Sequence, residues 1–236
     1  MKKNKITLGL VACRGGSKGI PRKNLLKING KELITIAAEA ALSTPEIDQV
    51  ICSTDSEELA DIAKQANLRV PFIRPKELAL DDTPMMPVME HALNWIEKND
   101  QVTVERVVIV DPTAPLRTSE DISKVINLFS SKEADLALSV HLSHQNPYFN
   151  MLEEGENDFF KLPLGDEANY GSRQSAPIVY SINTLCWVYS RNAIVNEKKR
   201  IPKKTIIHEF PENLSIDIDT YEDLSRLEYQ INKKDN

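Results

Sequence analysis

The sequence predicts an α/β fold in which a mainly parallel sheet is covered by helices on both faces. Short apolar runs alternate with segments of helical periodicity along most of the chain. That order is expected of right-handed strand–helix–strand units. Ile6–Val11 is largely apolar and Val107–Val110 is an uninterrupted β-branched run, as in strands buried on both faces. The first of these runs leads directly into the Gly-rich stretch Ala12–Asn24, ACRGGSKGIPRKN, which ends the strand in a loop.

Each further element follows from local pattern. Val50-Ile51-Cys52 is a second strand. Asp55, three residues before Glu58, caps a helix that carries Leu59, Ile62 and Ala63 on one face. Val70–Ile73 is a third short strand, and Val88, Ala92, Leu93 and Ile96 recur at helical spacing. Val107–Val110 is the central strand; beyond Pro115, Ser119–Phe129 is a helix and Leu136–Val140 a strand. From Gln145 to Gln174 the alternation breaks, and aromatic islands (Tyr148-Phe149, Phe159-Phe160) stand in polar chain. Such islands suit an interface, a binding wall or a small satellite core. Ile178–Tyr189 returns as strand, His208 lies in another, and Thr220–Asp223 caps a last helix whose apolar face is Leu224, Leu227 and Ile231. Parallel sheets bind ligands at the carboxyl ends of their strands. The first loop, Ser53-Thr54-Asp55 and Asp111–Arg117 all follow strands, so all should converge there.

A chain of 236 residues suits a single domain over 1–236, with 145–174 as an inserted arm. A net charge of −6 argues against a nucleic-acid or membrane-surface partner and confines any phosphate binding to a local basic loop. No run approaches the ~20 apolar residues of a membrane span. The charged start before Ile6 lacks the apolar region of a secretory signal. Cys13, Cys52 and Cys186 are widely spaced, each in or beside an apolar run, which suits buried thiols in a reducing cytoplasm.

Two stretches carry chemistry. In the first loop, Gly15, Gly16 and Gly19 permit close backbone approach, and Arg14, Lys18, Arg22 and Lys23 gather four cations within ten residues. With the Ser17 hydroxyl and successive N–H groups they suit a cradle for polyphosphate. A solvated basic loop after an edge strand fits the same residues. Neither GxxxxGK[ST] nor GxGxxG is present. In the second stretch, Asp217-Ile218-Asp219, carboxylates two apart on a strand face one side and suit a hard cation such as Mg²⁺. A solvated acidic strand end fits the same pattern. The four histidines have no HExxH-type partner, and no Gly-x-Ser-x-Gly elbow occurs.

The first loop closely resembles the RxxSKxxPxKN signature of the CMP-sugar synthetases that activate nonulosonic acids. Ser53-Thr54-Asp55, Arg74-Pro75, Pro112–Arg117, Arg173-Gln174 and Asp217–Asp219 recur in that family's order. Asp111–Arg117 and Asn146–Asn150 look most like its bacterial legionaminic-acid branch. The resemblance implies a Rossmann-like three-layer nucleotidyltransferase fold and CMP transfer from CTP to a nonulosonic acid, with pyrophosphate released. By the same resemblance Ala12, Arg14, Gly15, Ser17, Lys18 and Asn24 hold the nucleotide. Arg74 lies on its base and ribose side, and Lys23 meets the leaving phosphates. Asp217 and Asp219 hold Mg²⁺, and Asp111, Arg173, Gln174 and Asn183 face the sugar; a guanidinium suits the carboxylate of such acids. The arm is expected to cross to a second subunit of a homodimer. A Kdo-type cytidylyltransferase and a non-catalytic nucleotide-binding module are the competing readings.

Overall fold

The computed structural model describes residues 4–16, 18–164 and 170–234. In chain order the elements are β1 (Lys5–Ala12), the short hairpin strands β2 (Lys27–Ile28) and β3 (Lys31–Glu32), α1 (Leu33–Leu42), β4 (Gln49–Ser53), α2 (Glu57–Gln65), α3 (Met85–Asn99) and β5 (Thr103–Ile109). They continue with α4 (Ser119–Lys132), β6 (Leu136–Leu142), the arm hairpin strands β7 (Glu153–Glu154) and β8 (Phe160–Lys161), β9 (Tyr180–Ser190), β10 (Thr205–Glu209) and α5 (Tyr221–Lys234).

The main sheet has the order β10-β6-β9-β5-β1-β4. β1 pairs in parallel with both β4 and β5, β10 pairs in parallel with β6, and β9 alone runs antiparallel between β5 and β6. The expected mainly parallel sheet is therefore present, with one reversed strand inside it. β1 divides its side chains between the faces as period-2 geometry requires. Ile6, Leu8 and Leu10 pack with α3, whereas Val11 and Cys13 pack with the layer of α1, α2 and α4. A third cluster joins Ile20, Ile28 and Leu33 to Ile216, Ile218 and Leu227 of the chain's last segment.

The helix caps explain where the helices begin. Thr118 accepts from the Asp121 N–H and the Asp121 carboxylate accepts from the Thr118 N–H, a reciprocal capping box at α4. Thr220 and Asp223 do the same for α5. At α2 the cap is one residue later than the sequence suggests, because the Ser56 hydroxyl accepts from Leu59 N. Asp55 is instead drawn to the first loop, where its carboxylate accepts from Gly15 N at 2.9 Å.

Two expected strands take another form. Val70–Ile73 makes no ladder; only single bridges, Ile51 to Arg69 and Thr54 to Ile73, tie its flanks to β4. Pro71 removes one N–H from that stretch, so a continuous ladder cannot form. Asp217–Asp219 is likewise outside the sheet. It is held to the loop after β5 by Ile218 N donating to Thr113 O at 2.9 Å. Helix α1 and the hairpin before it, which turns at Asn29-Gly30 with φ of 49° and 80°, were not signalled by the periodicities above.

Ile218 is fully buried in the third cluster and anchors both acidic residues beside it. Ile218→Ala is expected to lower unfolding free energy by about 2–5 kcal/mol, read by urea denaturation. A loss under about 1 kcal/mol would mean that this segment is not packed as described.

Candidate active site

The carboxyl ends of β1, β4 and β5 converge on one edge of the sheet, as expected, and enclose a cavity of about 200 Å³. Its wall includes Ala12, Arg14, Gly16, Lys23 and Asn24 from the first loop, with Arg74 and Asp111. Further wall comes from Leu78–Asp81 and Thr83, in the stretch between α2 and α3, and from Met85 and Val88 of α3 and Thr113.

Arg74 is buried and functions as a clamp between strands. Its Nε donates to Ser53 Oγ at 3.0 Å, and Nη2 donates to Cys13 O at 3.2 Å and to Ser53 O. The ends of β1 and β4 are thereby fixed by one guanidinium. Burial pushes this guanidinium below its ordinary pKa, while nearby Cys13 and Asp55 oppose that shift. Asn24, also buried, donates from Nδ2 to Arg14 O at 3.1 Å and sets the curvature of the loop.

Every cation of the first loop meets a carboxylate from elsewhere. Arg14 pairs with Asp81, Lys18 Nζ lies 2.9 Å from the same carboxylate, Arg22 pairs with Glu58 and Lys23 with Asp219. The Lys18 and Arg14 bonds hold the Asp81 carboxyl below its usual range. Lys23 is the most enclosed of the four, its side chain 14% exposed. Ser17 lies outside the described residues.

The acidic segment approaches the loop closely. A Cβ on Gly19 would stand 2.1 Å from Asp219 O, so only glycine fits there. Asp219 is exposed, whereas Asp217 is largely shielded. Burial, reinforced by the neighbouring Asp111 charge, raises the Asp217 carboxyl above its ordinary pKa. Its Oδ1 is buried without a hydrogen-bond partner. Asp111 closes an Asx turn, accepting from Thr113 N at 3.1 Å and Thr113 Oγ1 at 2.9 Å. Arg117 is buried below them. Its Nη1 donates to Ala114 O at 3.0 Å, while Nε and Nη2 have no partner. Burial brings its pKa down to about 10 against the pull of Asp111, Cys186 and Asp217.

Three expected sugar-facing residues are not in the cavity wall. Asn183 is buried in β9, where Nδ2 donates to Ser215 Oγ at 2.9 Å and Oδ1 accepts from Leu185 N at 3.2 Å. Its amide serves the backbone there. Arg173 and Gln174 are exposed on the arm, and Arg173 Nη2 donates to His144 O at 3.2 Å. The structure thus joins Arg14, Lys23, Asn24, Arg74 and Asp111 around one space, with Asp217 and Asp219 beside it.

An orphaned, buried carboxylate oxygen beside a second carboxylate fits a hard divalent cation, whose preferred ligands are oxygens. Among the described residues no group of three His, Cys, Asp or Glu side chains forms a complete metal cage. A cation on Asp217 and Asp219 would complete its shell with phosphate oxygens and water, as Mg²⁺ commonly does.

"Post-translational flagellin modification protein B" of Campylobacter coli is 32% identical over 224 residues, covering 95% of this chain and 94% of that protein. The CMP-N,N'-diacetyllegionaminic acid synthase of Campylobacter jejuni matches at 32% with the same coverage. A solved CMP:2-keto-3-deoxy-manno-octonic acid synthetase, complexed with CTP, superposes with a TM-score of 0.68 at 14% identity. That match covers 98% of this chain and 99% of the other, a likeness of fold. A family model described as Cytidylyltransferase matches residues 8–235, and the chain belongs to the cytidylyltransferase family.

Proposed function

We propose that this chain transfers CMP from CTP to the anomeric hydroxyl of a nonulosonic acid and releases pyrophosphate. The observation that carries this reading is the shared cavity edge, where the basic first loop meets Asp217 and Asp219. Relatives that activate such acids match across nearly the whole chain.

In this reaction the anomeric oxygen bonds to the α-phosphorus as the bond to the bridging oxygen breaks, and pyrophosphate leaves. Positioning and charge neutralisation dominate such steps. Arg14 and Lys18 bind phosphate oxygens, and Gly16, which lines the cavity with open space beside its Cα, leaves room for the phosphate chain. Arg74 holds the floor against which the nucleoside rests. Lys23 supplies the enclosed cation for the leaving phosphates, exchanging Asp219 for them. Asp217 and Asp219 hold Mg²⁺, which supplies charge neutralisation to the triphosphate when bound. Asp111, fixed by its turn, faces the acceptor.

The exposed aromatics of the arm suit a second copy of the chain. Phe159 and Phe160 are 74% and 64% exposed, and Leu152 and Ile178 extend the same apolar character. We take the unit to be a homodimer in which Arg173 and Gln174 reach the acceptor site of the partner. A cytoplasmic setting suits the three buried free cysteines.

The direct test is pyrophosphate release from CTP against a panel of 2-keto-3-deoxy acids. Release is expected with a 5,7-diamino nonulosonic acid in preference to N-acetylneuraminate or Kdo. Activity confined to Kdo, or none with any acid, would reject the reading. Lys23→Ala should lower turnover by about tenfold or more, equivalent to ~1.4 kcal/mol of transition-state stabilisation, with a smaller change in CTP affinity.

Asp217→Asn and Asp219→Asn keep side-chain shape but remove charge. Each is expected to raise the Mg²⁺ concentration needed for half-maximal turnover. Unchanged titrations in both would remove these residues from the metal site. Light scattering at micromolar concentration should return twice the 26.6 kDa chain mass; a monomer would reject the dimer.

A further inference from the structure

The stretch between α2 and α3 brings an anion into the basic loop. Asp81 meets Arg14, and its other oxygen lies 2.9 Å from Lys18 Nζ. Among the described residues Asp81 is the carboxylate that meets these two cations. One carboxylate thus sits between two cations on the cavity wall, in an arrangement that a phosphate group would satisfy equally well.

The segment that carries Asp81 is lightly tied. From Pro75 to Pro84 the backbone bonds of the described residues stay within the segment: Leu78 N to Pro75 O, Ala79 N to Lys76 O and Thr83 N to Leu80 O. No strand pairing holds it to the sheet. Leu80 is 57% exposed, while Leu78 packs against the α3 face of the core and serves as an anchor. Asp81 and Lys18 are open to solvent and Arg14 is partly so, and solvent-screened pairs of this kind are weak. A polyanion can therefore replace the Asp81 carboxylate with little resistance, and the tip of the segment is free to move away.

We propose that Asp81 is an affinity-determining residue that stands in for ligand phosphate: it occupies Arg14 and Lys18 in the free protein and is displaced when a polyphosphate enters. This rests on the proposed use of CTP for the identity of the ligand, but the displacement itself concerns any polyphosphate. It keeps the basic loop neutralised between turnovers and makes negative charge the requirement for opening the site. The alternative is that Asp81 orients Arg14 for binding, in which case its loss would weaken the site.

The test compares binding of CTP and of inorganic tripolyphosphate to the unaltered chain, Asp81→Asn and Asp82→Asn by calorimetry. Asp82 is the exposed neighbour on the same segment, so the two variants change net charge equally. Asp81→Asn is expected to tighten both ligands by about two- to tenfold, as loss of two weak competing pairs implies. Asp82→Asn is expected to change either by less than about twofold, the size of a screened charge effect. Unchanged or weaker binding in Asp81→Asn would overturn the proposal, as would an equal gain in Asp82→Asn. Binding of tripolyphosphate without CTP by the unaltered chain would instead reject the cytidylyltransferase reading and leave the comparison of variants to decide the role of Asp81. Binding of neither ligand by any of the three proteins would overturn both.

Discussion

Four cations in ten residues of one loop repel each other, and the structure around the site is organised by how that repulsion is offset. Three carboxylates from three elements meet them: Glu58 of α2 takes Arg22, Asp81 of the segment before α3 takes both Arg14 and Lys18, and Asp219 of the segment before α5 takes Lys23. The loop is therefore the point at which distant parts of the sequence meet. Each pair has at least one partner open to solvent, and such pairs contribute little to stability. Their effect is to arrange, while the three apolar clusters hold the fold together. Anion binding then becomes an exchange of one set of negative groups for another, with less reorganisation than a bare basic loop would require.

Beneath the exposed rim, two guanidiniums are buried, and they differ in how far they are satisfied. Arg74 spends its N–H groups on backbone and hydroxyl oxygens at the ends of β1 and β4, so its burial is compensated. Arg117 donates from Nη1 to Ala114 O and has two unpartnered nitrogens, near Asp111 and Asp217. Uncompensated polar atoms on Arg117 and Asp217 lie where the mechanism asks for charge to be bound and released. Incomplete satisfaction is expected at a site kept open for ligand and is rare in a purely structural core.

The parts of the fold visible in the sequence are those fixed by local pattern. β1, β4, β5 and β6 were legible as apolar runs, and α2 to α5 as periodic faces. The first loop was legible as dense glycine and lysine after a strand. Helix α1 was hidden because LITIAAEAAL is apolar on most of its surface, packing Leu33, Ile34, Ala37, Ala38 and Ala41, so no amphipathic contrast announces it. The sense of β9 was also hidden, since antiparallel insertion between β5 and β6 depends on its tertiary neighbours. Asp81 carries no local signal: it is one of two adjacent acids after Leu78-Ala79-Leu80, and what sets it apart is the approach of Arg14 and Lys18. Arg74 was read from resemblance as a ligand-side residue, and its clamp role became visible only when the ends of two strands were seen around it.

Asn183 joins an irregularity of the sheet to the acidic segment. Strand β9 loses register with β6 between Leu138 and Val140, and the displaced backbone needs other partners. Asn183 provides them: its side-chain oxygen takes Leu185 N, and its main-chain oxygen takes the Trp187 indole N–H at 2.6 Å. Ser139 Oγ takes Cys186 N at 3.0 Å, completing the irregular turn of chain. The one remaining group, Nδ2, reaches Ser215 Oγ, two residues before Asp217. A bulge in the sheet is thus tied through one amide to the start of the acidic segment, which Ile218 then pins to Thr113 and the core. Asn183 is buried outside the cavity wall, and its side chain joins the sheet to the segment that carries Asp217 and Asp219. A change there would therefore reach the position of those carboxylates through Ser215.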